Sequence, residues 1–315
     1  MYYPSGFFKA KAREALKGHW QTALLIALIV NLPSLLAQGI TVFTGNDPLD
    51  RLQAVIIVAS RDGTLTRALL TREITDYLSS SGFWMTVGLN AAAFVVTPCL
   101  GLGLYKWLMD RLRKAPVADV VEGAFCRVRL FFRALGLQLL IILKVFLWML
   151  PGLALFAGLL FAFYRADTVE AATGAARAVN ALTLPLILVM AVPGAIAALR
   201  YAMAEFILAD EPETKITECV RRSKEQMREL KRMLFTLLLS FLLLYLLQLF
   251  VASFLSGLSS IFSLLFQMLT GLAISVYMSA SEASFYLETR LGKIPRHPQA
   301  EPPKEESEKD PEDLT

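Results

Sequence analysis

YAMAEFILADEPETKITECVRRSKEQMRELKRMLFTLLLSF, residues 201–241, sets the plan of the chain. It holds the end of one apolar stretch, an Asp210-Glu211-Pro212 corner, a basic segment and the start of another apolar stretch. Ile216, Cys219, Val220, Ser223, Met227 and Leu230 recur at helical spacing, with Lys215, Arg221, Arg222, Glu225, Arg228 and Arg232 off that stripe. Pro212 keeps the preceding stretch from running straight into this helix, and Thr214 is placed to cap it. The order is span, corner, amphipathic helix, span.

The rest of the chain repeats parts of that order. Apolar residues make up 56% and charged residues 18%, where soluble domains sit near ~45–50% and ~25%. Mean hydropathy is +0.53. Six stretches, 20–43, 83–109, 134–156, 180–208, 233–256 and 258–285, are each long enough to cross a hydrocarbon core of about 30 Å. Backbone groups in lipid must be satisfied within the segment, and these stretches are too long for barrel strands. The expected fold is all-α: a polytopic helical membrane bundle of about six transmembrane helices with amphipathic cytoplasmic surface helices. The first span follows a basic segment, as a secretory signal would, but no small-residue cleavage site follows it, so it is expected to be retained.

Lysine and arginine counts orient the bundle. The N-terminal segment, 106–133, 210–232 and the tail from 287 carry four, seven, seven and five, while 43–82 and 165–178 carry four and two. Both termini are therefore expected on the cytoplasmic side. This bias accounts for the net charge of +4 without a nucleic-acid partner. None of Cys99, Cys126 and Cys219 falls in an expected outer loop, so no disulfide framework is expected.

Residues 1–19 read as a cytoplasmic amphipathic helix, through Phe8, Ala12, Ala15 and Leu16, lying on the membrane surface. Residues 20–286 form the membrane domain, with an outer loop at 44–82 and cytoplasmic loops at 110–133 and 209–232. The outer segment 47–81, with an amphipathic stretch at 64–78, reads as a small extracytoplasmic helical cap. Val117, Val120, Val121, Ala124, Phe125 and Val128 make another helical stripe before the third span. Residues 287–315, rich in proline and charge, read as a disordered cytoplasmic tail. Three amphipathic helices each precede a pair of spans, compatible with three parallel helix-hairpin repeats. Pro98, Pro193 and Thr270 then share a column, as do Tyr105, Arg200 and Tyr277. Any bundle of hairpins entering from one side gives the same pattern, and both readings stand.

The segments AREALKGHW, WMLPG, PGAIAALRYAMAEFILADEP, SKEQM, LSF and EASFY, taken in order, resemble a bacterial integral-membrane family known as domain of unknown function number 975. The resemblance covers most of 9–286 and is strongest over 193–241. It implies a multi-span bacterial cytoplasmic-membrane protein and supplies no activity. Two departures stand out: Pro151-Gly152 and Pro193-Gly194 lie about forty residues apart, and Arg228-Glu229 replaces a glycine expected after SKEQM.

Lys144 lies about ten residues into its span, roughly 15 Å from the inner edge. Intramembrane charge suggests a pathway or a partner, with Glu205 and Glu282 as counter-charges and Asn90 and Gln138 as further polar groups. Alternatively, Lys144 snorkels to the interface. Arg200, Arg221, Arg222 and Lys224 are candidate lipid-headgroup contacts, and Glu205, Asp210 and Glu211 can pair with the basic helix that follows. Pro151, Gly152, Pro193 and Gly194 are candidate helix breaks. Only His19 and His297 exist, and neither zinc spacing nor a nucleotide or hydrolase motif is found, so no metal, cofactor or catalytic residue is expected. Two functions follow. One is a non-catalytic membrane factor that binds anionic lipids, a membrane-protein partner or a second copy, at about 1 kcal/mol per basic residue near the surface. The other is a small-solute transporter or permease with a path near Lys144 and the Pro-Gly pairs.

Overall fold

A computed structural model describes residues 5–44, 54–55, 58, 67–116, 119–164, 185, 187–257 and 259–292. Among them all regular structure is helical. The elements are α1 (Ser5–Leu16), α2 (Trp20–Thr44), α3 (Arg67–Ser79), α4 (Ser81–Leu112), α5 (Val120–Phe125), α6 (Phe131–Tyr164), α7 (Ile187–Asp210), α8 (Ile216–Ser256) and α9 (Ser260–Arg290). Among the described residues, five helical stretches are long and apolar enough to cross a membrane, and up to six if α1 and α2, bent by 100°, count as one span. Gly18, at φ +79°, makes that bend in left-handed backbone open to glycine. On α8 the outward apolar side chains stay uncovered, with Leu243, Phe250 and Phe254 all more than 70% exposed. Such a surface suits lipid rather than water.

α4 lies at the centre, against α2, α6, α7 and α9, while α8 and α9 form an antiparallel pair. Ser80 caps α4 by accepting from the amide of Phe83. α5 approaches so near α4 that a Cβ on Gly103 would sit 2.3 Å from the carbonyl oxygen of Ala124. Glycine is required there by space.

The apolar stripes expected on surface helices are spent inside the protein. Phe8, Ala12 and Leu16 are fully buried, and Phe8 meets Phe285 of α9 edge-on at 5.3 Å. Lys9 donates to the carbonyl of Ser240 (3.1 Å) and lies over the Phe241 ring. Cys219, Val220, Ser223, Met227 and Leu230 are likewise buried, and Ser223 Oγ donates to the carbonyl of Arg200 (3.0 Å). Packing against neighbouring helices, not lipid, covers these faces.

Several boundaries move. The basic helix and the fifth span are one helix, α8, with no loop between them. Arg228-Glu229 stands where a glycine was expected, and 216–256 contains neither glycine nor proline to stop the helix. Thr214 does not cap it: its hydroxyl bonds Glu211 Oε2 (3.1 Å), and Lys215 takes the cap position. The stripe before the third span shortens to α5 and a 3₁₀ turn, Val128–Leu130. α9 continues past the expected tail boundary to Arg290, where Lys11–Glu288 and Arg290–Asp210 ion pairs hold its last turn. α3 covers most of the amphipathic stretch expected at 64–78, and most of 47–66 lies outside the described residues. The 165–178 connection and 293–315 lie outside the described residues. The Pro-Gly pairs are not breaks, since helix runs through both. Their glycines instead seat methionines of the facing helix, Met190 on Gly152 and Met149 on Gly194.

Candidate functional site

Polar side chains that sit on different apolar helices converge on one half-open cavity of about 530 Å³ between the helices. α4 supplies its long wall. Asn90, Thr97, Pro98, Gly101 and Tyr105 recur at seven, eight, eleven and fifteen residues, which is a single face of a helix. From Asn90 to Tyr105 that face runs about 22 Å. Asn31 and Ser34 come from α2, Gln138 from α6, Glu205 from α7, and Ser275 and Ser279 from α9. Pro98 has no N–H to give the carbonyl of Phe94, and both residues line the cavity.

The amides are partly committed. Asn31 and Asn90 each donate to the carbonyl four residues back, both at 2.8 Å, which leaves their side-chain oxygens as acceptors. The Thr97 hydroxyl is buried with no hydrogen-bond partner among the described residues. Tyr105 bonds the carboxyl of Glu205, and Glu282 lies within electrostatic reach of Glu205 without lining the cavity. No lysine or arginine pairs with either carboxyl among the described residues. A carboxyl group inside a bundle with no cationic partner is neutralised by a proton or by a bound cation.

The remaining candidate residues lie elsewhere. Lys144, six residues beyond Gln138 on α6, is half-buried, does not line the cavity and makes no ion pair with a described residue. Arg200 stacks on Trp148, 5.3 Å from its ring centre. Arg221 pairs with Glu218 (2.7 Å) and Glu225 (3.2 Å), and Arg222 with Glu211 (2.7 Å) and Glu218 (2.8 Å). This first part of α8, before the apolar stretch begins at Met233, is outside the span. There, hydrogen bonds from Arg221 and then Arg222 hold Glu218 down at about 2. Lys224 is exposed.

The Asp210-Glu211-Pro212 corner ties the charged end together. Arg113 grips both oxygens of Asp210 at 2.8 and 2.9 Å, and Arg290 reaches Asp210 and Glu211. Tyr286 donates to Asp210 (3.3 Å), and Arg133 donates to the carbonyls of Pro212, Glu213 and Thr214. Asp210 and Glu211 therefore act as the structural centre of that end.

The structure thus unites Asn90, Gln138 and Glu205 and adds residues the sequence reading did not name as site candidates: Asn31, Ser34, Thr97, Tyr105, Ser275 and Ser279. Their signal was polar residues sharing one face within apolar stretches, clearest in Asn90, Thr97 and Tyr105 of α4.

Residues 1–292 match the model of a family described as "Protein of unknown function (DUF975)". No curated protein and no solved structure matches the chain.

Proposed function

The chain belongs to the DUF975 family, whose function is unknown, and from that premise we propose that it carries a small polar or cationic solute through its intramembrane cavity. The observation that supports this most is Glu205, a cavity carboxyl bonded by Tyr105 and near Glu282, with no basic partner among the described residues. Glu205 takes up a proton or the solute's positive group, and the Asn31, Asn90 and Gln138 amides and the serine hydroxyls bind its polar atoms. No catalytic step is involved. We infer a bacterial cytoplasmic membrane, with both termini cytoplasmic, on the family resemblance and on the lysine and arginine asymmetry.

The test is flux. Protein reconstituted into vesicles with a trapped pH dye is exposed to a panel of primary amines, polyamines, amino acids and polyols. A solute-dependent pH change that Glu205→Gln abolishes, with the variant folded, is expected. Equal flux in wild type, Glu205→Gln and empty vesicles overturns the reading.

A second reading is a non-catalytic factor that binds anionic lipids, a membrane protein or a second copy of the chain. It is supported by Lys215, Lys224, Arg228 and Arg232, all exposed at the start of α8. Extraction in native lipid discs discriminates. A stoichiometric protein or enriched anionic lipid favours this reading, and a retained small polar molecule favours the carrier.

A further inference from the structure

A second cavity, of about 700 Å³, opens at the charged end between the start of the chain and the ends of α4 and α9. Its walls carry Lys11, Arg111, Arg113, Lys114 and Arg290 against Glu14 and Glu288. Three of the five cations are spoken for: Lys11 pairs with Glu288, and Arg113 and Arg290 pair with the Asp210 corner. Two are not. Arg111 gives Nη2 to the carbonyl of Ala15 (3.3 Å), but its Nε is buried with no hydrogen-bond partner among the described residues. Lys114 makes no ion pair with a described residue, and its backbone stands at φ +56°, which is uncommon for a residue with a side chain.

Ser284 supplies an independent observation. It lines the same cavity, is 2% exposed, and its hydroxyl has no hydrogen-bond partner among the described residues. Serines elsewhere on α9, such as Ser275 and Ser281, bond a carbonyl three or four residues back. Cations near helix C-termini are ordinarily explained by the helix dipole. The dipole does not account for a buried guanidinium N–H and a buried hydroxyl that both lack an acceptor, since buried polar groups are paired as a rule. What the cavity lacks is an acceptor-rich anion.

We propose that Arg111, Lys114 and Ser284 bind a phosphate group at this cavity, as a site separate from the intramembrane one. Phosphate offers several acceptor oxygens to a guanidinium, an ammonium and a hydroxyl together. The site sits where the apolar part of the bundle gives way to its charged end, so the phosphate is either that of a phosphomonoester lipid or that of a soluble phosphate.

The full chain is placed in phosphatidylcholine discs and titrated with inorganic phosphate, with chloride and sulfate as controls. In parallel it is placed in discs carrying one-tenth phosphatidic acid, and bound lipid is counted by native mass spectrometry. Binding of either probe that falls at least tenfold in Arg111→Gln supports the site. The phosphate arm responding alone assigns a soluble ligand, and the phosphatidic acid arm alone assigns a lipid. Ser284→Ala leaves every ion pair in place, so it reads the site even if Arg111→Gln does not fold, and a threefold or greater loss is expected. Failure of both probes to bind wild type above the chloride control overturns the proposal, as does equal binding by wild type and Ser284→Ala. Glu205→Gln is expected to bind both probes normally, which keeps this test independent of the carrier reading.

Discussion

Met190 is seated on Gly152: a Cβ added to that glycine would lie 2.3 Å from Met190 Cγ and 3.1 Å from its Cα. The seating is reciprocal, because a Cβ on Gly194 would meet Met149 Cγ at 3.2 Å. In lipid, helices hold together largely by close contact of this kind, and small residues permit it. Gly152→Ala should therefore destabilise the bundle by about 1–3 kcal/mol through overpacking. Gly158→Ala, on the same helix with nothing within 4 Å, should be neutral or mildly stabilising. Thermal unfolding of the two variants in one detergent measures the difference.

Asp210→Asn should cost more than the loss of any exposed pair. The Asp210 side chain is 5% exposed and holds both Arg113 and Arg290. Neutralising it leaves Arg113 without its carboxylate and Arg290 with Glu211 alone, and because both guanidinium groups are partly exposed the cost is about 1–3 kcal/mol. Arg221→Ala breaks pairs whose arginine is 63% exposed, and roughly 0–1 kcal/mol is expected. Denaturant unfolding followed by tryptophan fluorescence compares the two.

Phe8→Ala should free α1. Phe8 is fully buried, touches Phe285, and anchors a helix of only 12 residues. Truncating a buried phenylalanine costs about 3–5 kcal/mol, and an isolated helix this short is marginal. Faster protease cleavage within 5–16, with the rest of the chain still resistant, is the expected outcome.

Lys144→Leu should leave the fold as stable as wild type or more so, and leave solute flux unchanged. Its ammonium has no ion pair among the described residues and does not border the cavity. Gln138→Leu, six residues earlier on α6, does border it and should lower flux without unfolding the protein. Vesicle flux of the two variants decides which residue of α6 faces the path.

The spans and the Asp210 corner were legible because apolar length and proline placement are local properties. The corner's pairing of Glu211 with Arg222 followed from proximity along the chain. Helical periodicity located the stripes of α1 and α8 correctly. It could not say that they meet α9 and α7 rather than lipid, because periodicity identifies an apolar face and not what covers it. Lys144 drew attention by its charge alone. Asn31, Thr97 and Ser279 carry no charge and come from three helices, so their grouping around Glu205 depends on how α2, α4 and α9 turn toward one another.

α8 has 41 residues, a length of about 60 Å, against about 40–45 Å for a whole bilayer with its headgroups. Its first seventeen residues therefore reach about 25 Å past the start of the apolar stretch, with no glycine or proline along the way to act as a joint. A rod of that kind is a lever. A tilt of about 10° in its lipid-facing half swings its far tip by roughly 4 Å, given that rise per residue. Ser223 and Arg222 fasten the outer arm to α7 and the corner, so a tilt of the lipid-facing half would be felt mechanically there.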